Sequence, residues 1–259
     1  MWLKQKVKNV VRELRQQWAS AATKQAMWDK EYASGGWNHC EFTPNDPAYE
    51  LVYRYCGNGS VLDLGCGSGN TGSEMDTGRY GNYTGVDISK VALKTAVARS
   101  AGSIREKKNR YLLADILVYE PSQKHDVILF RESIYYVPLF KIKALLQRYS
   151  HYLTEQGAFV VCMGGTKPRK ARRILEIIER CFRVLAVNSA DQRGEFLVVF
   201  RTKADIQRTH TNPNTISRQA LAIMLEGGAV LGVARLRIHP PRKSKWLCVG
   251  LLSCPQAAL

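Results

Sequence analysis

Three glycines at alternate positions, Gly65, Gly67 and Gly69, close the stretch "VLDLGCGSGN" (Val61–Asn70). Glycine admits positive φ and lets a ligand approach backbone where a Cβ would otherwise stand. Between a strand and a helix, such a loop is suited to hold part of a nucleotide. The dinucleotide fingerprint G-x-G-x-x-G would place its third glycine at Asn70, and here the glycine comes one position early. No G-K-[ST] follows, so the loop is not of the Walker type. Asp63 lies two residues before the loop, where a carboxylate repels a pyrophosphate but suits an ammonium group. Asp87, 22 residues beyond Gly65 in "YTGVDIS", has the spacing of an acid that accepts hydrogen bonds from both ribose hydroxyls.

A cationic nucleoside that carries an amino acid and no phosphates meets all three features. They favour S-adenosylmethionine over a nicotinamide dinucleotide as the cofactor. The second group with chemistry in it is "RESIYYVP", Arg131–Pro138, at the end of a later apolar run. Glu132 is the candidate base or amine-orienting group, and Ser133, Tyr135 and Tyr136 are candidates to shape an acceptor pocket. The structural alternatives are that the tyrosines pack the following helix and that Glu132 pairs with Arg131 or a nearby lysine. His125 lies at the opposite end of the same run, and His151 is read as a surface residue. No acidic cluster joins histidines at ligand spacing, so metal independence is expected.

These residues need a sheet to position them. Apolar strand candidates are Ser60–Leu64, Tyr83–Val86, Arg110–Ala114, Asp126–Phe130 and Ala158–Met163. Helical stretches at 46–56, 89–100, 139–153 and 170–181 accompany them. Alternation of this kind predicts an α/β fold, doubly wound around a mostly parallel sheet. Two late strands, near Phe182–Val187 and Phe196–Arg201, have no long helix between them and would close the sheet as an antiparallel pair. Residues 2–28 read as one basic amphipathic helix with Leu3, Val7, Val10, Leu14 and Trp18 on its apolar stripe. The expected organisation is an N-terminal helix over 1–30, a catalytic domain over 31–203 and a C-terminal extension over 204–259.

"VLDLGCGSGN", "YTGVDIS", "YLLADI" and "HDVILFRESIYYV" resemble the successive motifs of class I S-adenosylmethionine-dependent methyltransferases, over residues 28–203. The resemblance implies a Rossmann-like sheet of seven strands with one late antiparallel strand. It also implies that Asp63, Gly65, Cys66, Gly67 and Gly69 contact the methionine part of the cofactor. Asp87 would bind the ribose and Ile88 would pack on the adenine. Asp115, flanked by Ala114 and Ile116, would accept from the exocyclic amine. Phe130 and Arg131 would lie beside the methionine or sulfonium. "WDKEYASGGW" is similar to the lead-in of small-molecule members, with Tyr32 and Trp37 closing over the cofactor. Asp115 as a plain turn residue, and Trp28, Tyr32 and Trp37 as plain anchors, are the alternatives.

The resemblance implies an enzyme that methylates oxygen or nitrogen of a small molecule. Charge supplies the rival reading. The chain carries a net +16, distributed as +5 over 1–30, −3 over 31–100, +4 over 101–150, and +5 over each of 151–204 and 205–259. A basic chain favours polyanions, and "TKPRKARR" is a basic run after the fifth strand, so an RNA acceptor is the alternative. "RESIYY" departs from the motif of amino-directed adenine enzymes, and it lacks the Pro-Cys of the five-methylcytosine enzymes. Residues 2–18, with Trp2 and Trp18, are a candidate for weak membrane-surface contact. Seven scattered cysteines without a C-x-x-C pair, and the absence of a secretory signal or spanning segment, predict a cytoplasmic protein with reduced thiols.

Overall fold

Strand β1 (Ser60–Leu64) is buried at every position, because it lies inside a sheet covered on both faces. From one edge the seven strands run Asn109–Leu113 (β3), Asn82–Asp87 (β2), β1, His125–Arg131 (β4), Leu153–Met163 (β5), Phe196–Arg201 (β7) and Arg183–Ser189 (β6). All neighbours pair in parallel except β7, which is antiparallel to both β5 and β6. This is the α/β, Rossmann-like, seven-stranded arrangement expected. The computed structural model describes residues 19–37, 43, 46–164, 166–189 and 196–203. The expected helix over 2–18 and the extension over 204–259 lie outside the described residues, as do Cys40, Cys248 and Cys254.

Successive strand residues feed two cores. Leu62, Leu64, Ile128, Phe130 and Val161 pack with helices α6 (Leu139–Ser150) and α7 (Pro168–Cys181). Val61, Val127, Leu129 and Val160 pack on the other face with helix α2 (Pro47–Cys56). Helix α7 shows the pattern that achieves this. Ala171, Ile174 and Ile178 are buried at three- and four-residue steps, while Arg172, Arg173 and Glu179 face water. The remaining described α-helices are α1 (Ala21–Ala33), α3 (Asn70–Glu74), α4 (Lys90–Ser100) and α5 (Ile104–Lys108).

The expected single helix over 2–28 is corrected at Ser20. That residue is extended (φ −60°, ψ 158°), and its hydroxyl accepts from the Thr23 N–H at 3.3 Å. A serine that caps its own helix start ends any continuous run through it. Helix α1 therefore begins at Ala21 and continues to Ala33, five residues past the expected end. Asp46 caps α2 in the same way, accepting from the Ala48 N–H at 2.8 Å with Pro47 in the first turn.

The chain order reverses across the sheet between β1 and β4, since β2 and β3 lie on one side and β5 on the other. In open α/β sheets, ligands bind outside the carboxyl ends of the strands at such a switch point. His125 sits at the opposite end of β4, 2% exposed, with its backbone N–H donating to Tyr152 at 2.7 Å. Burial pushes its imidazole down to about 4 from 6.5, so protons prefer the unfolded chain in that window. Its contribution to stability is complete above pH 6.5 and is lost as pH falls through 4, about 3 kcal/mol in all. Urea unfolding at pH 7 and about pH 4.5 checks this. The wild type is expected to lose more stability between the two than His125→Phe.

Candidate active site

The turn after β1 is fixed by two backbone hydrogen bonds: the N–H groups of Gly65 and Cys66 both donate to the Val86 carbonyl, at 2.8 and 3.1 Å. Gly65, Gly67 and Gly69 all have positive φ. At Gly67 an added Cβ would stand 2.5 Å from the Tyr32 hydroxyl, so α1 lays that ring against the loop. Asp87, at the end of β2, ties the loop from beneath. One carboxylate oxygen accepts from the Gly67 N–H at 2.9 Å and the other from the Ser89 N–H at 2.8 Å. Burial pushes its pKa up, opposed by these backbone donors.

A cavity of about 800 Å³ opens over this edge, within the size range of cofactor sites. The structure brings to it Tyr32, Gly65, Cys66, Gly67, Asp87, Ile88, Asp115, Ile116, Arg131, Glu132, Tyr135 and Tyr136. Three residues expected there do not line it. Phe130 is fully buried on the α6 face, ring to ring with Tyr149 at 6.2 Å, because it alternates with Arg131 along β4. Asp63 is 1% exposed on the α2 face, where the Tyr83 hydroxyl donates to it at 2.7 Å. Burial pushes its carboxyl up to about 6. Gly69 faces Ala96 of α4, 2.6 Å from where its Cβ would stand, and serves as the N-cap of α3.

Arg131 enters the cavity wall already engaged. Its Nε donates to Asp46 at 2.7 Å, and a terminal nitrogen donates to the Thr43 hydroxyl at 2.6 Å. Its guanidinium also lies 5.5 Å from the Tyr49 ring centre. The expected alternative of a Glu132–Arg131 pair is not found. Glu132 adopts φ 56° and accepts from the Tyr135 hydroxyl at 2.9 Å and the Gly164 N–H at 2.5 Å. A positive φ at a non-glycine residue is uncommon and persists where the surroundings hold it. Asp115 accepts from the Leu117 N–H at 2.9 Å, as a turn residue would, and its other oxygen is 3.6 Å from Lys24.

Helix α1 forms the opposite wall. Asp29 fixes it to the start of α4 by accepting from the Ser89 hydroxyl at 2.7 Å and the Val91 N–H at 3.0 Å. From it Trp28 and Tyr32 face the cavity, with Trp37 just beyond its end. Sequence reasoning missed Lys24, Glu31, Thr43 and Asp46, all of which line the site. The helical stretch expected over 46–56 includes Asp46, but nothing local marks its bond to Arg131. Among the described residues, the lining includes the carboxylates Glu31, Asp46, Asp87, Asp115 and Glu132 and the cations Lys24 and Arg131.

The donor set fits S-adenosylmethionine. The loop offers backbone without Cβ atoms, Asp87 stands at the end of β2, and carboxylates in the described lining suit a sulfonium and an ammonium. Among the described residues, no group of three or more His, Cys, Asp or Glu side chains is arranged to hold a metal ion. No described helix is long and apolar enough to cross a membrane, and the four described cysteines, Cys56, Cys66, Cys162 and Cys181, are free thiols.

Residues 61–157 match the family model described as Methyltransferase domain. No curated protein matches the chain. A TehB-like SAM-dependent methyltransferase from Corynebacterium glutamicum superposes with a TM-score of 0.51 at 16% identity, covering 71% of this chain and 98% of its own. The PH0226 protein of Pyrococcus horikoshii gives 0.50 at 17%, covering 60% and 87%. The glycopeptide N-methyltransferase MtfA, complexed with S-adenosyl-L-methionine, gives 0.50 at 14%, covering 60% and 92%. At these identities the structural likeness is one of fold.

Proposed function

The chain carries a class I S-adenosylmethionine-dependent methyltransferase domain, and from that premise we propose that it methylates an oxygen or nitrogen of a small molecule in the cytoplasm. The observation that supports this reading most is the wall opposite the glycine loop. Trp28, Trp37, Tyr135 and Tyr136 make the acceptor side a concave aromatic pocket, the usual form of a small-molecule site. The N-methylating activity in the name of MtfA is consistent with it.

In this reading Asp87 accepts from the ribose hydroxyls, with Ile88 and Ile116 against the adenine and Asp115 toward its amine. Gly65, Cys66 and Gly67 receive the methionine end under Tyr32. Asp63 acts from behind, through Tyr83 and the strand, and Arg131 braces the wall through Asp46. When bound, S-adenosylmethionine supplies an electrophilic methyl on an excellent leaving group. The protein's tasks are then to align the acceptor and exclude water. Glu132, Tyr135 and Tyr136 position the acceptor, and Glu132 takes its proton.

A second reading draws on Lys167, Arg169, Arg172 and Arg173, exposed at the start of α7 close in sequence to Gly164 of the cavity wall. That surface suits an RNA backbone. Methyl transfer from labelled cofactor to panels of small amines and alcohols, with transcribed RNA in parallel, separates the two. Label in the small molecules supports the proposal; label in RNA alone overturns it. Glu132→Gln is expected to lower turnover about a hundredfold while S-adenosylhomocysteine affinity stays within about threefold. Its amide oxygen still accepts from Gly164, so the loop is retained and the base is lost. Single-turnover rates and calorimetry on the same samples check the split.

A further inference from the structure

The turn after β3 is held from behind by one helix. Asp115, Ile116 and Leu117 of this turn line the cavity. The turn meets part of its own backbone demand, since the Asp115 carbonyl accepts from the Val118 and Tyr119 N–H groups at 3.0 and 2.9 Å. The next two carbonyls are taken by α6. Two guanidinium nitrogens of Arg148 donate separately, one to Leu117 at 2.6 Å and one to Ile116 at 2.7 Å. The Tyr149 hydroxyl also donates to the Ile116 carbonyl, at 2.9 Å. This prop is built into the core: Tyr149 is fully buried against Phe130, and the Arg148 guanidinium lies 4.9 Å from the Tyr149 ring centre. Phe130, placed beside the cofactor by its motif, thus stands behind the turn instead.

One peptide links the prop to the site. In a trans peptide the carbonyl and the N–H point to opposite sides. The Ile116–Leu117 peptide gives its carbonyl to Arg148 and Tyr149, and its N–H donates to the Asp115 carboxylate at 2.9 Å. A charged donor on the carbonyl fixes the plane of that peptide and polarises its N–H. The Arg148 Nε is buried and makes no hydrogen bond among the described residues. That cost is offset by the two charge-assisted bonds to the turn. The other Asp115 oxygen is 3.6 Å from Lys24 of α1.

We infer that Arg148 is a positioning residue for recognition of the cofactor's base. Acting through the Ile116–Leu117 peptide, it aims the Asp115 carboxylate so that the site selects a purine by its exocyclic amine. The inference rests on the reading of Asp115 as the acceptor of that amine, and it names the group that sets its direction. A carboxylate pinned by a fixed N–H presents its remaining lone pairs along set directions, which an amine can meet without further ordering. Without the guanidinium the peptide can tilt, and the carboxylate turns with it. Discrimination for the amine then falls, while packing of the purine ring on Ile116 is kept.

The test titrates the full chain by calorimetry with S-adenosylhomocysteine and with its 6-deamino analogue, in which hydrogen replaces the amine. The wild type is expected to prefer the amine-bearing ligand by at least about tenfold. In Arg148→Met, which keeps an apolar stem over Tyr149, that ratio is expected to fall to about threefold or less. Arg148→Lys can serve one carbonyl at a time and should fall between the two. Asp115→Ala should bring the ratio near one, and adding Arg148→Met to it should change the ratio no further. A merely loosened pocket weakens both ligands and leaves the ratio standing. A wild-type ratio in Arg148→Met, or in Arg148→Lys should the first not fold, overturns the role of Arg148 provided that Asp115→Ala removes the ratio. A ratio near one in the wild type, or one that survives Asp115→Ala, shows instead that Asp115 does not read the amine, and the positioning role falls with that reading.

Discussion

Replacing Asp87 with alanine is expected to lower S-adenosylhomocysteine affinity by about 2 kcal/mol or more, roughly thirtyfold. Two losses combine. The ribose hydroxyls lose a charged acceptor, and the glycine loop loses its tie, since the carboxylate accepts from both Gly67 and Ser89. Two buried N–H groups are left without that partner, which costs more than the hydrogen bonds contribute while made. Asp87→Asn separates the terms. Its single amide oxygen can satisfy one of the two N–H groups, while its NH2 turns a donor toward the other. Affinity for the asparagine variant should therefore fall part of the way, with the loop partly held. Calorimetric titration of wild type and both variants reads the result, with NAD as the control ligand. Unchanged affinity in Asp87→Ala would remove the adenosine from the end of β2 and with it the orientation of the whole site.

The fold was legible where one rule dominated. Ser60–Leu64 and Phe196–Arg201 are short apolar runs rich in β-formers, and the structure has them at those bounds. β5 starts at Leu153, five residues before the expected Ala158, because Leu153 pairs with His125 ahead of a register shift. Pairing across a bulge leaves no local mark in sequence. The site was legible along the strands but less so across them. Arg131 and Phe130 were both assigned to the cofactor, yet adjacent strand residues point to opposite faces, and only Arg131 reaches the cavity. That signal was present and was outweighed by the motif. Asp63 is harder to read. β1 is buried on both faces, so no polar alternation tells which side it takes. Lys24, Thr43 and Asp46 act through partners 88 to 91 residues away or, for Asp46, 85. Contacts of that range are set by the assembled sheet.

The second large effect is expected at Gly65, where two costs that usually travel together can be pulled apart. Gly65 has φ 84°, and an added Cβ would stand 2.5 Å from the Ser133 Cβ. Ser133 is not able to step aside easily, because its hydroxyl donates to the Leu64 carbonyl at 2.6 Å and the residue is buried. Gly65→Ala should therefore destabilise the fold by about 3 kcal/mol or more, combining a left-handed backbone with overpacking. Gly102 supplies the comparison. It has φ 69° with nothing within 4 Å of its Cβ position, so Gly102→Ala bears the backbone cost alone, about 1 kcal/mol. The excess at Gly65 measures how tightly the loop is pressed against the turn that carries Glu132. Adding Ser133→Gly to Gly65→Ala removes the clashing atoms and should recover part of that excess, less the hydrogen bond to Leu64. Urea unfolding of the four proteins, wild type included, gives each difference. Equal losses at Gly65 and Gly102 would mean that the loop and the Glu132 turn are not in contact. Cofactor and acceptor sides would then lack the rigid seam on which methyl alignment depends.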